Sequence, residues 1–232
     1  MSWGFGWRPY VSVSQRRAQG LLEMEKLRKK GMEIQPVRIE GRKIAQTFWG
    51  KAWCEHLEKF SDFENRLPRG RTYVRNGSVC HLSIVKGKIS AKVSGSDIYD
   101  ISISVKPLPS PKWAGLKSRC AGRVGTMLEL LQGRLSSEVM TVVTDRDNGL
   151  FPLPAEISLD CSCPDWADMC KHVAAVLYGV GARLDQKPEL LFVLRGVDHA
   201  ELVGLESAKA IVSARKPAGN RKLDERSIAD VF

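Results

Sequence analysis

Residues 71–105 read RTYVR-NG-SVCHLSIV-KG-KISAKVS-GSD-IYDISISV. Apolar and polar residues alternate through this stretch with the period of two that a half-buried strand requires. RTYVR, SVCHLSIV, KISAKVS and IYDISISV are therefore expected as four short strands, with Asn76-Gly77 and Lys86-Gly87-Lys88 separating the first three. Such local connections predict an antiparallel meander. Ile89, Ala91, Val93, Tyr99, Ile101, Ile103 and Val105 share one face, the expected core. Lys88, Ser90, Lys92, Asp100, Ser102, Ser104 and Lys106 share the other. A three-residue loop at 75–77 would set Arg71 opposite His81 and keep one face apolar. Arg69, Arg71 and Arg75 then join the polar face, with Tyr73 and His81 beside them.

Working outward, the pattern turns helical. Residues 14–30 predict a helix with Ser14 as N-cap and Gly31 as its stop, and basic residues in the last turn that complement the helix dipole. A second helix is expected from Thr47, its cap, to Phe60. After the PLPSP break at 107–111, residues 112–147 read as mostly helical, for example over 123–131. GLFPLPA at 149–155 is another break. Helices follow at 170–184 and 188–195, with Pro188 at a first helical position. The fold class expected is α+β: an antiparallel sheet meander with packed helices, followed by a mostly helical region that contains a small Cys3His zinc module. The units expected are 1–110, with the basic sheet face; 111–148, helical; 149–205, the finger and its helices; and 206–232, a basic tail. The aromatic stretch at 1–13 is expected to pack.

Composition narrows the partners. The chain has 232 residues, 43% hydrophobic and 27% charged, as soluble globular proteins do. Lys and Arg number 36 against 26 Asp and Glu, a net charge of +10. That surplus favours polyanionic partners. The N-terminus lacks the apolar run of a signal peptide, and the apolar run at 173–182 is too short to span a bilayer. A cytoplasmic, reducing location with no membrane partner is expected, where six cysteines point to thiols and metal rather than disulfides.

The chemistry-bearing run is Cys161-Ser-Cys163-Pro-Asp-Trp-Ala-Asp-Met-Cys170-Lys-His172. Two ligand pairs, each split by one residue, flank a six-residue loop. Three thiolates and one imidazole suit a closed tetrahedral structural zinc site, and four protein ligands leave no open position for catalysis. Val173, Val176, Leu177, Val180 and Leu184 then form a helical apolar stripe, so the metal would fix the start of a buried helix. Asp165 and Asp168 lie in the loop; one could accept a hydrogen bond from the far nitrogen of His172, or simply cap the loop. Cys54-Glu55-His56 and Cys80-His81 are read as structural, because their side chains point apart on a helix or strand. The six tryptophans are read as core or staple residues. No nucleotide loop, dinucleotide fingerprint, nucleophile elbow or clustered acidic set is present, so an enzyme is not expected.

The motif CSCPDWADMCKHVAAVLYGVGARLD resembles the SWIM zinc finger. With TFWGKAWCEHLE and NRLPRGRTYVRNGSV upstream, most of residues 1–200 resembles bacterial SWIM-domain proteins of the companion type to Swi/Snf-family helicases. The resemblance implies Zn2+ at Cys161, Cys163, Cys170 and His172, and a role in binding DNA or protein. Charge and aromatic rings on one surface suit sequence-tolerant nucleic-acid binding. The candidate contacts are Arg66, Arg69, Arg71, Tyr73, Arg75, Lys88, Lys92 and Lys171. The competing readings are a solvated sheet face and a purely protein-binding module.

Overall fold

A computed structural model describes residues 11–59, 66–165 and 167–203. Helix α1 (Val13–Lys29) comes first, then α2 (Phe48–Glu58) and α3 (Leu67–Arg75). Strands β1 (Val79–Val85), β2 (Lys88–Ser94) and β3 (Ile98–Val105) follow. Next come α4 (Ser110–Cys120), α5 (Met127–Gln132) and α6 (Ser137–Val143). The described chain continues with β4 (Ile157–Cys161), α7 (Lys171–Gln186) and α8 (Glu189–Arg195). The four strands form one antiparallel sheet in the order β1-β2-β3-β4. The fold is α+β, as expected. The aromatic residues 1–10, Trp166 and the basic tail from 206 lie outside the described residues.

The meander from 78 to 105 forms as the alternation predicts. Ile89, Ala91, Val93, Tyr99, Ile101, Ile103 and Val105 are all buried. Two expectations are corrected. The segment RTYVR is helical, and the fourth strand is β4, which returns after α4–α6 to pair Ile103 with Leu159 and Ile101 with Cys161. The region holding the metal motif is thus not purely helical.

Tertiary packing accounts for α3. Pro68 sits in its first turn, where a missing N–H costs nothing. Leu67, Gly70 and Val74 form a buried stripe at helical spacing. Gly70 lies so close to α7 that a Cβ there would come within 2.5 Å of Ala174 Cβ and 2.8 Å of its carbonyl carbon. The Asn76-Gly77 pair is no hairpin turn. Gly77 has φ of 69°, its N–H donates to the Val74 carbonyl, and the Ser78 N–H donates to the Tyr73 carbonyl. This pair of bonds is the Schellman stop of a helix, so no 75–77 hairpin loop exists.

Helix α7 is the centre of the molecule. Residues 172–182 and Leu184 are buried, leaving Lys171, Arg183, Asp185 and Gln186 nearer solvent. The sheet packs on one side of it, and α2 and α3 on others. The indole N–H of Trp53 donates to the Leu177 carbonyl at 2.8 Å. Gly50 of α2 meets Gly181 of α7 with no room for a Cβ on either. Asp185 accepts from the Gln46 and Thr47 N–H groups and from the Thr47 hydroxyl. The cap of α2 is therefore supplied by α7, not by Thr47 itself, which makes no side-chain cap. Ser12 rather than Ser14 caps α1, in a capping box with Gln15.

Trp49, Trp53 and Trp113 are buried, consistent with core roles. No helix among the described residues is long and apolar enough to cross a membrane. Gly70→Val should destabilise the protein by about 1–3 kcal/mol in urea unfolding, because it drives a side chain into backbone that cannot yield. A neutral result would show that α3 and α7 are free to separate.

Candidate metal centre

Two elements bring the four ligands together. Cys161 ends β4. The next residue, Ser162, is stitched to β3: its N–H donates to the Asp100 carbonyl, and its hydroxyl accepts from the Asp100 N–H. That fixes the direction in which Cys163 leaves the sheet. Cys170 is the N-cap of α7, and His172 lies on its first turn. The four ligand atoms lie within 4.8 Å of one another. The Nδ1 of His172 stands 3.9 Å from Cys161 Sγ and 3.8 Å from Cys170 Sγ. Zinc bonds of about 2.3 Å to sulfur and 2.0 Å to nitrogen set tetrahedral edges of about 3.5–3.8 Å, so this donor set fits a tetrahedral ion.

Proton sharing among the thiols is consistent with the same role. Hydrogen bonding with the Cys161 sulfur first, and then with His172 and the first backbone N–H groups of α7, holds the Cys170 thiol well below its ordinary value against the effect of burial. Cys161 is pushed up, first by that hydrogen bond with Cys170 and then by burial. Burial raises Cys163. A metal replaces the protons on Cys161 and Cys163, so its binding weakens as pH falls.

His172 is clamped by rings. Tyr99 stacks on it at 4.4 Å between centroids, and Tyr73 meets it edge-on at 5.4 Å. Its Nε2 is buried without a hydrogen-bond partner among the described residues. Asp165 serves the loop instead, accepting from the Ala167 N–H and pairing with Arg66 at 3.4 Å. The remaining cysteines are apart from the site. Burial pushes Cys54 up to about 12, and it also raises Cys80 and Cys120. His56 bonds the Pro152 carbonyl, and His81 Nδ1 accepts from the Gln35 N–H.

The expected basic sheet face does not exist as drawn, because α3 turns its arginines in different directions. Arg71 points toward α2 and α7, where it pairs with Glu58 at 2.6 Å and donates to the Tyr178 hydroxyl. Arg75 lies by α1. Arg66 is paired with Asp165, and Lys92 of β2 with Asp100. Lys88 is exposed on β2. The sheet's polar face is also met at one corner by α1, where Gly20 lies against Cys80 and Ser94.

Three cations do converge. Arg69, Tyr73 and Lys171, with Arg16 of α1, line a cleft of about 340 Å³ next to the metal ligands. The Arg16 guanidinium carbon lies 5.0 Å from the Tyr73 ring centre, and Lys171 Nζ lies 5.8 Å from it. Arg16 Nε is buried without a hydrogen bond among the described residues. No acidic residue lines the cleft, and none of the three cations pairs with a carboxylate among the described residues. Arg16 escaped the sequence reading, because nothing in α1 marks which of its cations faces α3.

Residues 145–180, which include all four ligands, match the family model of the SWIM zinc finger. The chain is 36% identical over 171 residues to an uncharacterized protein, Rv2102, of Mycobacterium tuberculosis (strain ATCC 25618 / H37Rv). The match covers 72% of this chain and spans 61% of that protein's length. No solved structure matches the chain. The chain thus carries a SWIM zinc finger with a Cys3His cluster at its ligand positions. Cys170→Ser should lose metal by elemental analysis and lower the melting temperature. Acidification of the unaltered protein should release the ion. Full metal content in the Cys170 variant would remove that residue from the ligand set.

Proposed function

We propose that this SWIM zinc finger protein binds Zn2+ through Cys161, Cys163, Cys170 and His172 and holds the phosphate backbone of nucleic acid in the cleft beside it. DNA is the favoured polymer. The role is that of a non-enzymatic accessory, working with a Swi/Snf-type helicase as the resemblance to that companion class suggests.

The observation that carries this reading is the convergence of Arg16, Arg69 and Lys171 around Tyr73 with no carboxylate among the lining residues. Like charges held together repel, and a phosphate relieves that repulsion. Their positions depend on the metal. Lys171 lies between the ligands Cys170 and His172, and Tyr73 packs against the His172 ring, so the ion that fixes His172 also fixes the cleft. The contacts proposed are therefore Arg16, Arg69, Tyr73 and Lys171. Arg66, Arg71 and Lys92 are engaged with Asp165, Glu58 and Asp100. A closed four-ligand metal supplies structure and no reactive water, which supports a binding role.

The test is equilibrium binding of the zinc-loaded protein to single- and double-stranded DNA and RNA across a salt series. Arg16→Glu/Arg69→Glu/Lys171→Glu should weaken binding at least about tenfold and flatten the log–log salt slope by about 2–3. Lys88→Glu should change little. The metal content of the triple variant must match the parent protein. Unchanged affinity in a metal-loaded triple variant would remove the cleft from the reading.

A further inference from the structure

A second surface lies between α1 and the segment that follows it, and shares no lining residue with the cleft. Residues 34–39 run extended beside the edge of β1: the Val37 N–H donates to the Val79 carbonyl, and the Leu82 N–H to the Gln35 carbonyl. Between this segment and α1 lies a groove of about 350 Å³. Its floor is aliphatic, formed by Leu21, Met24, Ile34, Val37 and Ile39. Leu21 is 72% exposed, a large apolar side chain that α1 turns toward the groove and not into the core. Four arginines rim it: Arg17, Arg28, Arg38 and Arg75. Arg17 is held in place, its Nε donating to the Asn76 carbonyl at 2.6 Å. Among the described residues no acidic side chain lines the groove. The acids of α1, Glu23 and Glu25, are turned to Lys26 and Lys29.

We propose that this groove docks an acidic amphipathic segment of another protein, its apolar side chains on the floor and its carboxylates on the arginine rim. An apolar trough under a row of guanidinium groups is complementary to such a segment, because each carboxylate finds a forked donor as its neighbouring apolar residue leaves water. Nucleic acid fits this surface less well than the cleft. No aromatic ring lines the groove among the described residues, so bases would meet aliphatic side chains there. A second copy of this chain is disfavoured by charge, since the chain carries +10 and the groove is itself basic. The groove is separate from the metal cleft, and the inference does not rest on nucleic-acid binding.

The probe is a synthetic labelled helix with Leu on one face and Glu on the other, titrated with the full zinc-loaded chain and read by fluorescence anisotropy. The control is the same peptide with Lys in place of Glu. The Glu peptide should bind saturably at one per chain, and the Lys peptide should not bind. Arg28→Glu/Arg38→Glu and, separately, Leu21→Asp should each weaken it at least about tenfold. Arg16→Glu/Arg69→Glu should leave it unchanged, which separates docking here from attraction to any basic surface. All these positions are exposed or half-buried, and thermal melts confirm that the variants fold. No saturable binding, or binding that the Arg28/Arg38 reversal leaves intact, overturns the proposal. So does a loss of oligonucleotide affinity on that reversal without peptide binding, which gives the groove to nucleic acid. Self-association abolished by Leu21→Asp overturns it in favour of a second copy.

Discussion

The rest of the structure depends on the burial of α7. A helix enclosed on nearly all sides must be met by elements able to approach it closely, and the sequence supplies them as glycines. Gly50 and Gly70 bring α2 and α3 to backbone distance, and Gly181 answers from α7 itself. The sheet closes the remaining side with its aliphatic face. A helix so enclosed has little freedom to slide, and its start is where the ligands Cys170 and His172 sit. Core packing and metal chelation are thus two constraints on one element.

The ligand cluster brings the end of β4 against the start of α7. Its first ligand pair belongs to the sheet through β4 and Ser162, and its second to α7. An ion bound there would lock the helix start against the end of the sheet, with Tyr99 and Tyr73 setting the imidazole plane. The same tyrosine that braces the ligand carries Arg16 and Lys171. Structural and electrostatic roles therefore meet at Tyr73, and each surface cation nearby is placed by something deeper in the molecule.

Much of this was legible in the sequence where the cause is local. The strands over 78–105 follow from alternation alone, and the ligand set follows from spacing. The misreading at 71–75 has a physical source. Thr72, Tyr73 and Val74 favour strands, and Asn76-Gly77 favours hairpins. A helix wins there because Gly70 can nest on Ala174, a contact about a hundred positions away that no local pattern records. Strand β4 was missed because ISLDC follows a proline-rich break and pairs with a strand more than fifty residues earlier. Arg16 could not be assigned to the cleft for the same reason: its partner surface comes from α3 and α7.

The capping of α2 has a consequence for how the chain is made. Asp185 supplies the acceptors for Gln46 and Thr47 across 138 positions, and Trp53 donates its indole N–H to Leu177. Neither partner exists when α2 leaves the ribosome. At about 5–20 residues per second, the gap is roughly 6 to 28 seconds. For that interval Trp53 lacks the α7 carbonyl it donates to, and Trp49 lacks the Phe192 ring that meets it edge-on. The nascent chain must keep two large indoles from other surfaces until its own last third has been synthesised.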